Sequence, residues 1–163
     1  MSVNAEDLSR ICAGCGLCCN GTLFGLVDVA EDEIERVTKR GLVLHPSLSA
    51  AVLPCPKHVE ATGCSIYADR PAACHRYSCG VLEAAENGNK SVEQQVDKVR
   101  RTIALIDRLK SQGVDVRVVA KDGVAKVRED PASQLDPSKA ELLLDLSELK
   151  IILKRDYGYG VEK

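Results

Sequence analysis

The chain has 163 residues, with 22 Lys and Arg against 24 Asp and Glu for a net charge of −2, a size that suits one domain with a modest core. Residues 1–80 carry 7 basic and 9 acidic side chains and residues 81–163 carry 15 of each, so there is no basic stripe and no nucleic-acid partner is expected. The opening "MSVNAEDLSR" lacks the basic and apolar regions of a signal peptide, and no apolar run approaches the roughly 20 residues that span a bilayer; a cytoplasmic protein with no membrane partner is expected, in a compartment that keeps thiols reduced.

In chain order, "TLFGLVDV" (22–29) predicts a short strand. "AEDEIERVTKRG" predicts a helix with Asp28 and Glu31 in a capping arrangement, Ile34 and Val37 facing the core and Gly41 as its stop. Pro46, Pro54, Pro56 and Gly63 predict a loop with one short strand at most. Asp69 and Pro71 mark the start of a further helix. "SVEQQVDKVRRTIALIDRLKSQG" predicts the longest one, capped by Ser91 and Gln94 and ended by Gly113, with Val92, Val96, Val99, Ile103 and Ile106 as its apolar face. "VDVRVVAKDGVAKV" alternates around Asp122-Gly123, a hairpin pattern. A final helix follows, with Asp136 as cap, Pro137 at its first position and Leu142, Leu146, Leu149 and Leu153 as its stripe.

All eight cysteines and all three histidines lie between residues 12 and 79. "CAGCGLCC" places Cys12, Cys15, Cys18 and Cys19 within eight positions, and Cys55, Cys64, Cys74 and Cys79 follow. In a reducing compartment such crowding points to metal or catalytic thiols rather than disulfides. Two thiolates two residues apart can clasp one soft cation across a tight turn, and Gly14 and Gly16 are expected to supply the turns. The Cys12-x2-Cys15-x2-Cys18 run matches the first three ligands of bacterial ferredoxin clusters, but the fourth position is absent because Cys19 follows directly. Adjacent Cys18 and Cys19 are expected to point different ways. Cys74 falls in the first turn of a helix, where the dipole is expected to lower its pKa. Two four-thiolate sites, or one cluster with spare thiols, both remain open on spacing alone.

The two motifs, "CAGCGLCC" and "PCPKHVEATGCSIYADRPAACHRYSC", resemble the CxxCxxCC (YkgJ-like) family of zinc- or iron-chelating domains. The resemblance covers residues 12–19 and about 55–79. It implies that all eight cysteines are candidate metal ligands, and it carries Ile66, Tyr67, Arg70 and Pro71 over as motif positions without a role. His75 stands where the family commonly has arginine. A flagellin lysine methylase also resembles this family around the cysteines, which implies an enzymatic alternative.

Other candidates rank lower. His75 has the better ligand claim among the histidines, with His45 and His58 outside the motifs. Arg70 is a candidate electrostatic cap for a thiolate cluster or an ordinary surface ion pair, and Tyr67 a packed ring. Glu31, Asp32, Glu33 and Glu35 suit a solvated helix start. No phosphate loop, metalloprotease helix or Ser/His/Asp set is apparent.

The expected fold is α+β and helix-predominant: a single domain of residues 1–163 in which an irregular cysteine-rich metal-binding part (1–88) packs on the helices of 89–163. The expected function is chelation of zinc or iron through cysteine thiolates, including a [4Fe-4S] or other iron–sulfur cluster. The alternatives are an iron–sulfur-dependent redox or protein-modifying enzyme, and a structural zinc module whose helices contact another protein.

Overall fold

A computed structural model describes residues 4–60, 62–116 and 137–158, the side chains of Ala5 and residues 137–139 excepted. The architecture is α+β with helix predominant, as expected. Six helices are described: α1 (Ala5–Cys15), α2 (Ile34–Lys39), α3 (Ala72–Arg76), α4 (Gly80–Glu86), α5 (Val92–Ser111) and α6 (Pro137–Tyr157). Four short strands form two antiparallel pairs, β1 (Leu26–Asp28) with β2 (Ala50–Val52) and β3 (His58–Val59) with β4 (Gly63–Cys64).

The main core joins the two halves of the chain. Ile11 of α1, Val81 and Ala85 of α4, Val99, Ile106 and Leu109 of α5, and Leu146, Leu149 and Leu153 of α6 are all buried in one apolar cluster. Burying a side chain of this size contributes about 1.5–3 kcal/mol, so these three- and four-residue spacings dominate the packing. A smaller cluster of Val29, Val37, Leu42 and Ala51, with Ile34 against it, sits under the β1–β2 pair.

Helix α5 has the expected reciprocal cap: the Gln94 N–H donates to Ser91 Oγ (3.2 Å) and the Ser91 N–H to Gln94 Oε1 (3.0 Å). Its buried stripe is rotated from the expected one. Gln95, Thr102, Leu105 and Leu109 are buried with Val92, Val99 and Ile106, while Val96 and Ile103 are only half-buried. The centre of the face is set by α1 and α6, which both pack on α5, and the periodicity of one helix cannot locate its two neighbours. The final helix begins at Pro137 and buries Leu146, Leu149 and Leu153 as expected, with Leu142 half-buried. The hairpin expected around Asp122-Gly123 lies outside the described residues, as does Asp136.

Three expectations are corrected, and one helix comes without any expectation. Residues 5–15 form a helix, with a capping box in which the Asp7 N–H donates to Asn4 Oδ1 (2.9 Å). The helix expected from Asp28–Glu31 starts as a 3-10 turn at Glu31–Glu33, and the Glu33 side chain, not Asp28, caps it. The helix expected from Asp69 is two helices, α3 and α4, broken at Tyr77–Cys79. Residues 42–63 hold three short strands rather than one. Glu33 is also more than a solvated charge: it accepts from the Ala72 N–H (2.9 Å) at the start of α3, and Arg40 pairs with Asp69 (2.7 Å). These contacts tie α2 to the segment that carries Arg70 and Cys74.

Candidate metal centre

Helix α1 carries the first two cysteines. Cys12 and Cys15 stand three residues apart in its last turns and so share a face. The expected turn at Gly14 is therefore absent: Gly14 is helical, because Leu8, Ile11 and Cys15 pack on the core at helical spacing. Gly16 does make a turn. It ends the helix with φ +63° while its N–H donates to the Cys12 carbonyl (3.2 Å). A Cβ there would stand 2.3 Å from His58 Nε2, so this glycine also admits the His58 ring. The chain then folds tightly: the N–H groups of Cys19 (2.9 Å) and Asn20 (2.8 Å) both donate to the Gly16 carbonyl.

Backbone bonds bring in the second motif. The Cys55 N–H donates to the Cys19 carbonyl (2.8 Å), and the His58 N–H to the Cys55 carbonyl (3.1 Å). His58 then pairs with Cys64 across β3 and β4. Cys74 is the third residue of α3, and Cys79 holds the N-cap position of α4. Gly80 beside it allows a close approach, since a Cβ there would meet the Asp156 carbonyl of α6 at 2.7 Å.

These segments surround one cavity of about 420 Å³. Seven of the eight cysteines line it: Cys12, Cys15, Cys18, Cys19, Cys64, Cys74 and Cys79. Cys55 stands just outside the lining, within electrostatic reach of Cys19 and Cys64. All eight are half-buried free thiols. The sulfurs of Cys18 and Cys19 are 3.9 Å apart, so the two neighbours do not diverge fully. Among the described residues, no three His, Cys, Asp or Glu side chains gather tightly enough to hold an ion as they stand. The thiols ring a space rather than converge on a point.

Burial dominates the electrostatics. It pushes the Cys12 thiol up to about 11 and the Cys15 thiol to about 12, with Cys79 adding to both. Cys55 and Cys79 also rise through burial, and Cys19 rises first through its contact with Cys18 and then through burial. Cys74 is corrected in sign: burial pushes it up to about 11, with Cys19, Cys55 and Cys64 adding to the rise. A five-residue helix offers only a small dipole, and desolvation outweighs it. Arg70 is the nearby cation. It lowers Cys12, Cys19 and Cys74 without reversing the effect of burial. Its guanidinium lies 3.9 Å from the Tyr67 ring centroid, and its Nε donates to His75 Nδ1 (3.2 Å). Arg70 thus faces the thiols, and one nitrogen of His75 is occupied by Arg70.

A search of family models matches residues 11–101 to CxxCxxCC, described as "Putative zinc- or iron-chelating domain". The chain belongs to the CxxCxxCC family. No curated protein and no solved structure matches it. Membership makes metal binding, to zinc or iron, the general property of the chain. The match spans both cysteine motifs and runs into α5, so it includes every residue that lines the cavity except Leu8, Ser9 and Tyr157.

The donor set suits such a metal. Thiolate sulfur is the ligand that zinc, iron and iron–sulfur clusters share. Neutral thiols crowded into an apolar wall gain nothing from one another, and a cation reverses that balance by making the thiolate the favoured form. Sequence reasoning placed His58 low because it lies outside the motifs, yet its ring lines the cavity beside Gly16. Its place three residues after Cys55 was the available signal. His75 also lines the cavity, while His45 does not and instead accepts from the Ser47 N–H (3.2 Å). Tyr77 and Tyr157 were missed altogether; in a chain with so few aromatics, their positions next to Cys79 and at the end of the last helix were the only hint.

Proposed function

We propose that this CxxCxxCC protein holds zinc or iron through thiolates of the cysteines around the cavity, in more than one ion or as an iron–sulfur cluster. The single observation that carries the reading is that seven cysteines from four separate segments line one space. A volume of about 420 Å³ exceeds what one tetrahedral ion with sulfur at about 2.3 Å requires, which favours a polynuclear occupant.

The contacts favour two groups of four. Cys15, Cys18 and Cys79 pack against the main apolar core, and Cys12 shares the helical face of Cys15. Cys19 is bonded through its backbone to Cys55, and Cys55 and Cys74 both sense Cys19 and Cys64. Cys12, Cys15, Cys18 and Cys79 form one group, and Cys19, Cys55, Cys64 and Cys74 the other. The 3.9 Å contact of Cys18 with Cys19 is where the two meet. Arg70 and His58 line the wall and offset charge or exclude water there. The bound metal supplies Lewis acidity or, as iron, electron transfer. Free thiols in this number suit a reducing compartment such as the cytoplasm.

Anaerobic purification followed by elemental analysis and an acid-labile sulfide assay tests the reading. Iron with sulfide identifies a cluster, and zinc without sulfide identifies thiolate-bound ions. Folded protein with no stoichiometric transition metal under these conditions refutes it.

A further inference from the structure

Tyr157 ends α6 and lies outside the family match of residues 11–101. It is 2% exposed, yet its hydroxyl makes no hydrogen bond of normal geometry. Buried hydroxyls are rarely left this way, and each needs an explanation. The ring lines the cysteine cavity, and the polar groups facing its hydroxyl are the Cys15 thiol and the Thr102 hydroxyl. Thr102 already directs its own proton to the Lys98 carbonyl (2.9 Å). The position is well fixed: the Gly80 backbone closes on the Asp156 carbonyl next door, and Lys98 pairs with Asp156 (3.0 Å).

A neutral thiol is a poor acceptor, so the hydroxyl's contact with Cys15 is weak while that sulfur keeps its proton. A metal-bound thiolate is a charged acceptor and attracts a buried donor far more strongly. We propose that Tyr157 is a positioning residue of the metal centre, donating its hydroxyl proton to the Cys15 sulfur when that sulfur is bound as a thiolate. The proposal rests on the thiolate metal centre inferred above and extends it to the C-terminal helix. Metal loading would then engage α6 directly, through a hydrogen bond that the charge on the sulfur strengthens.

The test is an anaerobic titration of the reduced full-length chain with Co²⁺ alone, followed through its thiolate-to-cobalt charge-transfer band. Wild type, Tyr157→Phe and Thr102→Val are compared. Tyr157→Phe is expected to bind the same number of ions with affinity about 10- to 100-fold weaker, the range for loss of a partner to a metal ligand. Its band is expected to move to lower energy, because the sulfur loses a hydrogen bond and holds its electrons less tightly. Thr102→Val is expected to leave both unchanged, and metal-free Tyr157→Phe to be no less stable than wild type. An unshifted band with affinity within about threefold overturns the proposal, as does a Thr102→Val protein that reproduces the Tyr157→Phe changes or a metal-free Tyr157→Phe protein that loses stability. A wild type with no thiolate–cobalt band removes the metal centre itself, and is thereby distinguished from failure of the tyrosine alone.

Discussion

Raising the pH of the metal-free protein towards about 10 should destabilise it measurably. Burial, reinforced by Cys79, moves Cys12 from 9.0 to about 11 and Cys15 from 9.0 to about 12. The folded state therefore holds these protons more tightly than the unfolded chain. The stability linked to them is fully present below pH 9 and is lost as pH rises through the folded values. At about pH 10 an unfolded thiol is roughly 90% ionised while the native two stay protonated, a factor of about ten each, or about 1.4 kcal/mol each. Together they remove about 3 kcal/mol, which for a chain of this length lowers the melting temperature by about 6–12 °C. Cys74 shifts the same way, and Tyr77 and Tyr157, also raised by burial, add to the loss. Thiols that ligate metal as proposed above would already be ionised in metal-loaded protein, so the fall should shrink or vanish there. The measurement is thermal unfolding by circular dichroism at about pH 7, 8.5 and 10, with and without zinc. A metal-free melting temperature that stays within about 2 °C from pH 7 to 10 refutes the burial argument.

Chelation should loosen the cysteine part and spare the helices: limited proteolysis is expected to cut between residues 16 and 79 while α5 and α6 stay intact, since their apolar contacts need no metal. Equal cleavage before and after chelation would show that the metal organises nothing. Gly16→Ala should cost about 1–2 kcal/mol from its left-handed backbone, with a further loss from the clash with His58; in urea melts, adding His58→Ala should recover only the second part. Gln95→Leu should stabilise the protein by about 1 kcal/mol, because both amide atoms of this 1% exposed residue lack partners. A lower urea midpoint for that variant would reveal a partner the packing conceals.

The legible features were those with local causes. The Ser91–Gln94 cap and the Pro137 start depend on a few neighbouring residues and stand as read. Helix α1 was illegible because its stripe of Leu8, Ile11 and Cys15 includes a residue that spacing assigns to ligation. The side chain serves both roles, and only its contact with the core reveals the helical one. Helix α5 was placed correctly but rotated, since its two flanking helices come from opposite ends of the chain. Cys74 had the wrong sign because the dipole is local whereas desolvation depends on what closes over the site.

By itself the sequence determined that the chain is a cysteine-rich, helix-predominant CxxCxxCC protein, because composition and spacing are properties of the chain alone. Only the tertiary structure decided that seven of the eight cysteines line one cavity, that the sulfurs of Cys18 and Cys19 lie within 3.9 Å of each other, and that Tyr157 of the last helix closes against Cys15. The physical reason is distance in the chain. Residues 15 and 157 meet because apolar burial draws α1, α4, α5 and α6 into one core, and no local pattern encodes which faces that core will bring together.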